Sequence, residues 1–406
     1  MKITVSRSSE AIAGEATSNG AVASPKRSPF FVFKIAQGMT AATWFAMLAR
    51  NDYAVSPGRM PFAIYLSGTS ILNSALALMQ HLIFGRRIAE TDVGRPIFIV
   101  GHWRTGTTWL HELLALDPRF VAPSTLECFA PRYCLLVGWL ARLLTVFLPK
   151  TRPMDEMPVG WDRPQEDELA LLNMGIGSPY ETMIFPNHRP IRSEYFHVGE
   201  LAKEQRENWQ VGFTQFCRQV MFRGRRERAE SPGEKRLVLK SPPHTARIAF
   251  LRQLFPGAQF IHVVRHPYEV FASSVRLWCT LFDSQGCQKP EFGELANHGP
   301  SIEQFVLDEM DLLYRDFADN AVAGQFCQVR YEDMLRDPIA EMRRVYAELD
   351  LGTFEAVRPK LEAYILGQRN YKANIHHLSP PQKADVDRRW HWYFESYGYS
   401  PDGVGS

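Results

Sequence analysis

Arg104, Lys240 and Arg265 are the cations of this 406-residue chain that stand where chemistry can be done, because each ends or closely follows a short apolar run. The first run is Ile97-Phe98-Ile99-Val100, an unbroken apolar stretch expected of a strand buried on both faces. Gly101 and Gly106 then bracket a tight loop that carries Arg104 and Thr105. Thr107, Thr108 and Trp109 open a helical run with apolar Leu110, Leu113, Leu114 and Leu116. A strand, a glycine-bracketed loop and a helix aim bare backbone N–H groups and a helix dipole at an anion. The glycine spacing is that of G-x-x-x-x-G-K-[ST], but Thr107 stands in place of the lysine. The loop's own cation is Arg104, so the site is built for a phosphate-like group but not for standard metal-assisted NTP hydrolysis.

The elements that must position these residues follow from the next stretches. Leu237-Val238-Leu239 reads as a strand leading into Lys240-Ser241-Pro242-Pro243-His244, and a helix runs on to Phe255. After the turn at Pro256-Gly257, Phe260–Val264 is another strand ending at Arg265. His266-Pro267 then starts a helix through Val275. This alternation predicts an α/β fold with a central parallel sheet flanked by helices. Arg104, Lys240 and Arg265 then share the carboxyl edge of the sheet, where open α/β sheets bind ligands.

These motifs resemble those of the sulfotransferases that use PAPS (3′-phosphoadenosine 5′-phosphosulfate). Arg104-Thr105-Gly106-Thr107-Thr108-Trp109 is similar to the family's 5′-phosphosulfate loop, roughly [KR]-[ST]-G-T-T-[WL]. Val263–Val275 resembles the 3′-phosphate element, in which an arginine ends a strand and a serine follows eight residues later; here these are Arg265 and Ser273. A guanidinium fork with a nearby hydroxyl suits phosphate on physical grounds as well. Phe326–Pro338 resembles the strand ending in Y-E-D, which implies an adenine-side role for Tyr331, and Trp109 matches the tryptophan that packs on the adenine. Gln368–Ser379 stands where the family has a basic loop over the 3′-phosphate. It lacks the R-K-G-x-x-G pattern of cytosolic members, which leaves Arg369 and Lys372 as its candidates. The resemblance covers about residues 95–380 and implies a P-loop NTPase-like sulfotransferase fold, PAPS as co-substrate, PAP (3′-phosphoadenosine 5′-phosphate) as product and no required metal. The chain is closer to bacterial, glycan-type and tyrosylprotein-type members than to cytosolic ones.

The implied reaction needs cations and loop N–H groups on the developing negative charge, for which Arg104 and Lys240 are placed. It also needs a base for the acceptor hydroxyl. Cytosolic members have K-T-H, but here Pro242 occupies the histidine position, and His244 lies two residues further on. In tyrosylprotein and glycan-type members a glutamate follows the loop by about twenty residues, and Glu127 lies 23 after Arg104. Glu127 is the first choice, followed by His244 and then by Glu166 or Glu168. The last two belong to Pro164-Gln165-Glu166-Asp167-Glu168, which also reads as a helix start with acids favouring the dipole.

Composition bounds the rest. A net charge of +2 favours neither nucleic acid nor a membrane surface globally, so any basic site is local. The basic run Arg223, Arg225, Arg226, Arg228 reads as a helix end. The six cysteines form no C-x-x-C pair, which argues for reduced thiols in a cytoplasmic protein and against a structural zinc. Residues 1–29 read as a disordered tail without an apolar h-region, 30–94 as a helical N-terminal segment, 95–395 as the sulfotransferase domain and 396–406 as a C-terminal tail. Two apolar stretches stand out. Between Arg59 and Arg86 there is no charged residue, and polar residues at intervals suggest a core or membrane-surface amphipathic helix over a span. Leu135–Leu148 reads first as core. Segments 62–84 and 135–148 together raise an amphiphilic acceptor and peripheral membrane contact as expectations. The competing classes are a P-loop-like kinase acting on a small molecule and a non-catalytic, membrane-associated nucleotide binder.

Overall fold

A computed structural model describes residues 34–143, 160–187, 192–227, 235–291, 301–317, 324–368 and 378–401. The proposed tail 1–29, together with Arg369 and Lys372, lies outside the described residues.

In chain order the elements are α1 (Ala41–Arg50), α2 (Met60–Ala89), β1 (Ile97–Val100), α3 (Thr107–Ala115), β2 (Phe120–Val121), α4 (Thr125–Phe129), α5 (Cys134–Leu143), α6 (Asp167–Met174), α7 (Lys203–Glu227), β3 (Arg236–Lys240), α8 (Ile248–Leu254), β4 (Gln259–Val264), α9 (Pro267–Gln285), α10 (Ile302–Tyr314) and β5 (Phe326–Arg330). Short helices follow β5 to the C-terminal end. The strands form one parallel sheet in the order β2-β3-β1-β4-β5.

The order explains why the chemistry gathers on one edge. β1 is central, with β3 on one side and β4 on the other. In a parallel sheet all carboxyl ends point the same way, so the segments after β1, β3, β4 and β5 open onto a single rim. Both faces of β1 are buried, which accounts for its unbroken apolar run. Phe98 and Val100 face a core shared with Trp44 and Met47 of α1, Leu171 of α6, Phe213 of α7 and Phe271 of α9. Ile97 and Ile99 face the opposite core with Leu110, Leu113 and Leu114 of α3 and Met342 and Val345 beyond β5. The N-terminal helices thus belong to the main core.

Four expectations are refined. Tyr331-Glu332-Asp333 is the first turn of a helix rather than the end of β5. Tyr397 and Tyr399, in the expected C-terminal tail, pack against the core, and Tyr399 donates to Glu332. The apolar stretch after Arg59 is indeed one helix, but much of its apolar surface faces outward: Ile64, Ile71, Leu72, Leu78 and Leu82 are all exposed. Trp139 and Leu140 of α5 are also exposed, so that stretch is not simply core. The basic run is structural where it is described: Arg223 pairs with Glu127, Arg225 donates to the Asp92 carbonyl and Arg226 lies over Phe84. Arg228 lies outside the described residues. All six cysteines are free thiols.

Three imidazoles are sealed in the interior. Burial lowers His102 to about 4 and His262 to about 3, and burial with the nearby Lys240 charge lowers His111 to about 3. Above the unfolded value near 6.5 both states are neutral and the pairings are unperturbed. As pH falls below that value the unfolded chain takes up protons that the folded chain refuses, so stability is lost down to the folded values. The expected cost is on the order of 1 kcal/mol per histidine per pH unit between pH 6.5 and 4. Urea midpoints measured from pH 7.5 to 5 check this; a midpoint that does not fall over that interval contradicts it.

Candidate active site

The loop after β1 is held in an uncommon shape. Gly101 and Gly106 have φ of +137° and +100°, and Arg104 has φ of +69°. A Cβ on Gly101 would lie 2.5 Å from the Val263 carbonyl, and one on Gly106 would lie 2.3 Å from the Tyr331 ring. Neither position accepts a side chain. Arg104, a non-glycine residue in the left-handed region, costs roughly 1–2 kcal/mol. Its neighbours keep it there: the Arg265 guanidinium donates to the Arg104 carbonyl at 3.1 Å, and Arg104 Nε donates to Ser273 Oγ at 2.9 Å. The Gly101 N–H donates to Thr245 Oγ1 at 2.8 Å, which ties the loop to the segment after β3.

Thr105 is fully buried, and its hydroxyl donates to the His102 carbonyl, so it braces the loop from within. Thr107 is buried at the first position of α3. Thr108 accepts from Lys240 Nζ at 3.2 Å. Trp109 meets Tyr331 edge to face with centroids 6.3 Å apart. Tyr331 lies under the Arg265 guanidinium at 4.5 Å from its ring centroid. Arg265 also pairs with Glu269 one turn further along α9, a partner that the Arg265/Ser273 reading did not include. Sequence elements more than 160 residues apart therefore meet: Arg104, Arg265 and Ser273 form one connected group.

The second group is built by three consecutive acids at the start of α6. Glu166 accepts from Lys240 Nζ at 2.5 Å, Asp167 meets His244 Nε2 at 2.6 Å, and Glu168 receives the Arg247 guanidinium at 2.6 and 3.1 Å. The Glu168 N–H adds a bond to Ser241 Oγ at 3.0 Å. Burial alone would raise the Asp167 pKa, but His244 outweighs it and holds the carboxyl below its usual range. Arg247 also donates to His244 Nδ1 at 3.3 Å, so both imidazole nitrogens are engaged. The other Glu166 oxygen accepts from Tyr180, whose hydroxyl in turn accepts from Trp103 Nε1 at 3.0 Å. Burial and the Glu166 charge push the Tyr180 phenol well above its ordinary pKa.

This geometry reorders the candidate bases. Glu127 is buried, caps its own helix in a Ser124/Glu127 capping box, and faces Arg223 at 2.7 Å. Ser124-x-x-Glu127 is a capping pattern that the sequence already contained. His244 and Glu168 are fully buried and committed to Asp167 and Arg247. Among the four, Glu166 alone keeps appreciable exposure, 19% of its side chain, and it touches Lys240.

A parallel α/β sheet with a glycine-bracketed loop after its central strand, and further cations on the same rim, is the arrangement by which open α/β sheets bind phosphate-bearing groups. The chain matches the model of the Sulfotransferase family over residues 96–355, and it belongs to that family. It is 39% identical over 363 residues, 89% of its own length and 90% of the other's, to omega-hydroxy-beta-dihydromenaquinone-9 sulfotransferase Stf3 of Mycobacterium bovis. The same values hold for Stf3 of Mycobacterium tuberculosis. Its fold is similar to the crystal structure of sulfotransferase STF9 from Mycobacterium avium, at 17% identity and a TM-score of 0.58, covering 92% of this chain and 99% of that one. STF1 from Mycobacterium tuberculosis H37Rv matches at 18% identity and the same TM-score, covering 86% and 90%. The enzyme transfers sulfuryl groups on a P-loop-like α/β fold with an added helical N-terminal segment, and PAPS is the donor implicit in its family. The kinase and the non-catalytic alternatives are thereby set aside.

The Glu168–Arg247 pair is at 0% side-chain exposure on both sides. Removing one partner of such a pair leaves a buried charge without compensation. Glu168→Ala is expected to lower stability by about 3–5 kcal/mol, read by urea unfolding. A loss below about 1 kcal/mol would show that the pair does not anchor α6.

Proposed function

We propose that Arg104, Lys240, Arg265, Ser273 and the loop N–H groups hold PAPS, that Glu166 is the base, and that the acceptor is a hydroxyl on an amphiphilic lipid. The observation that carries this reading is the Lys240–Glu166 contact beside Thr108, at the mouth of the loop. The donor set fits the group. Positive φ at Gly101, Arg104 and Gly106 shapes the loop, and Lys240 and Arg265 both contact it beside Arg104. Transfer itself is an attack by the acceptor oxygen on sulfur, with PAP leaving. In the residues present, Arg104 and the first N–H groups of α3 face the negative charge that grows on the loop side. Lys240 rests on Glu166 and serves as the cation that moves onto the leaving oxygen. Glu166, relieved of Lys240, takes the acceptor proton. Tyr180 and Trp103 fix the carboxylate during that exchange.

Arg265 and Ser273 take the 3′-phosphate, while Glu269 and Tyr331 orient the guanidinium. Tyr331 is nearly buried, so it supports Arg265 and Trp109 instead of offering an open ring face. Arg369 and Lys372 remain proposed contacts to the same phosphate. The acceptor class is drawn from Stf3, named for a hydroxylated menaquinone derivative, and from the apolar surface of α2. We place the enzyme in the cytoplasm, in peripheral contact with a membrane, with residues 95–395 as its transferase domain and no metal in the reaction.

Two measurements test the site. Calorimetric titration of PAP is expected to show tight binding by the wild type and a loss of about 2–3 kcal/mol in Arg265→Ala. An unchanged affinity in a folded variant removes Arg265 from the donor site. Glu166→Gln, assayed in EDTA with a hydroxylated prenylquinone acceptor, should lower kcat by about 10²- to 10⁴-fold while PAP affinity holds. Wild-type turnover in the variant refutes Glu166 as base, and loss of wild-type turnover in EDTA refutes the metal-free reaction.

A further inference from the structure

The polarity of α2 is inverted relative to a helix on the surface of a water-soluble domain. Its inward side carries amide and hydroxyl groups beside Ala63, Leu66 and Ile88, and several of these polar groups bond to the body of the protein. Asn73 donates to the Gln37 and Met39 carbonyls at 2.9 Å, and Ser74 Oγ accepts from the Ala41 N–H at 2.9 Å. Gln80 bridges Gln219 at 2.9 Å and the Leu135 N–H at 2.8 Å. Ser67 Oγ accepts from Trp44 Nε1 at 2.9 Å. The outward stripe recurs at helical spacing through Ile64, Gly68, Ile71, Ala75, Leu78 and Leu82, and Leu82 is 74% exposed. At about 1.5 Å per residue, the stripe from Ile64 to Leu82 runs over roughly 27 Å of this 30-residue helix. The helix is long and apolar enough to cross a membrane, yet its inward flank is fastened to the enzyme by the bonds just named. Apolar patches of this extent mark contact surfaces.

We propose that this face of α2 lies flat on an anionic lipid bilayer and seats the transferase against it. This deepens the reading of an amphiphilic acceptor and rests on it for its purpose. Charge complementarity favours lipid over a second copy. Exposed Arg86 and Arg87 end α2, and exposed Arg225 and Arg226 of α7 lie at the same end, with Arg226 over Phe84. The acids at or beside these described helix ends are Glu90, paired with Arg86, Asp92 and Glu227, against the four arginines just named. No acid lies between Arg59 and Arg86 to oppose an anionic surface. Trp139, 66% exposed, adds an apolar group on the neighbouring helix α5, which is tied to α2 through the Gln80–Leu135 bond. An indole at the edge of an apolar surface suits the headgroup region, and arginines beside it suit anionic lipid.

The test is co-sedimentation of the full chain with phosphatidylcholine vesicles, with and without phosphatidylglycerol at roughly a third of the lipid. The wild type should bind, and more tightly with phosphatidylglycerol. The triple variant Ile71→Glu/Leu78→Glu/Leu82→Glu changes only exposed positions and should lose binding at least about tenfold while PAP affinity and thermal midpoint hold. A wild type that stays in the supernatant with both vesicle types overturns the proposal. So does a triple variant that still binds, or a wild-type dimer that the variant converts to a monomer without vesicle binding. Vesicle binding together with failure to sulfate a lipid hydroxyl would instead refute the acceptor reading and leave the docking face standing.

Discussion

The proposed catalytic rim depends on the docking of α6 onto the end of β3 through three side-chain pairs in register. Glu166, Asp167 and Glu168 are consecutive, and they meet Lys240, His244 and Arg247 in the same order. Burying charge is costly, so such a ladder is weak evidence for stability as such. Its physical effect is specificity of placement. A shift of α6 by one residue would leave buried charges facing the wrong partners, and the low local dielectric makes that arrangement expensive. The two inner pairs are sealed, which leaves Glu166 and Lys240 as the rung that opens toward the loop. The pair proposed to act is therefore the least buried end of a structural clamp.

The same rigidity reaches the loop by another route. Thr245, within the segment that carries His244 and Arg247, accepts from the Gly101 N–H, so the clamp and the anion loop form one body. Arg104 sits in a strained backbone state that Arg265 and Ser273 stabilise from α9 and the end of β4. Donors fixed in advance need little reorganisation when negative charge develops, which is where electrostatic catalysis gains most. Strain at Arg104 is thus offset by contacts whose groups are themselves the proposed phosphate binders.

Short-range patterns were legible in the sequence. Ile97–Val100, Gly101, Gly106 and the leucines of α3 announce a strand, a loop and a helix, and the repeated strand–helix alternation announces a parallel sheet with one chemical edge. Pairing across long sequence separation was not legible. Glu166–Glu168 read equally well as acids on a helix dipole, because nothing local shows that Lys240, His244 and Arg247, 74 to 79 residues away, lie opposite. Glu127 was favoured on its distance from Arg104, although Ser124 three residues earlier supplied a local reason for an acid at that position. His244 kept its place as a candidate because burial cannot be read from one imidazole beside two prolines.

The orientation of α2 shows a further limit of periodicity. Alternating apolar and polar positions define two faces of a helix, but the pattern carries no sign that says which face meets protein. The habitual assumption turns the apolar face inward. Here the hydrogen-bonding capacity of Asn73, Ser74 and Gln80 decides the matter, because each finds backbone or amide partners that water-facing side chains would not need. With those groups satisfied inside, Ile64, Ile71, Leu72, Leu78 and Leu82 face out, and among the described residues nothing covers them. The sequence clue was the absence of charge from the face that water should have covered: no Asp, Glu, Lys or Arg occurs between Arg59 and Arg86. A surface helix that turns Ser, Asn and Gln inward and carries no charge outward has the composition that the proposed contact with an apolar solvent requires.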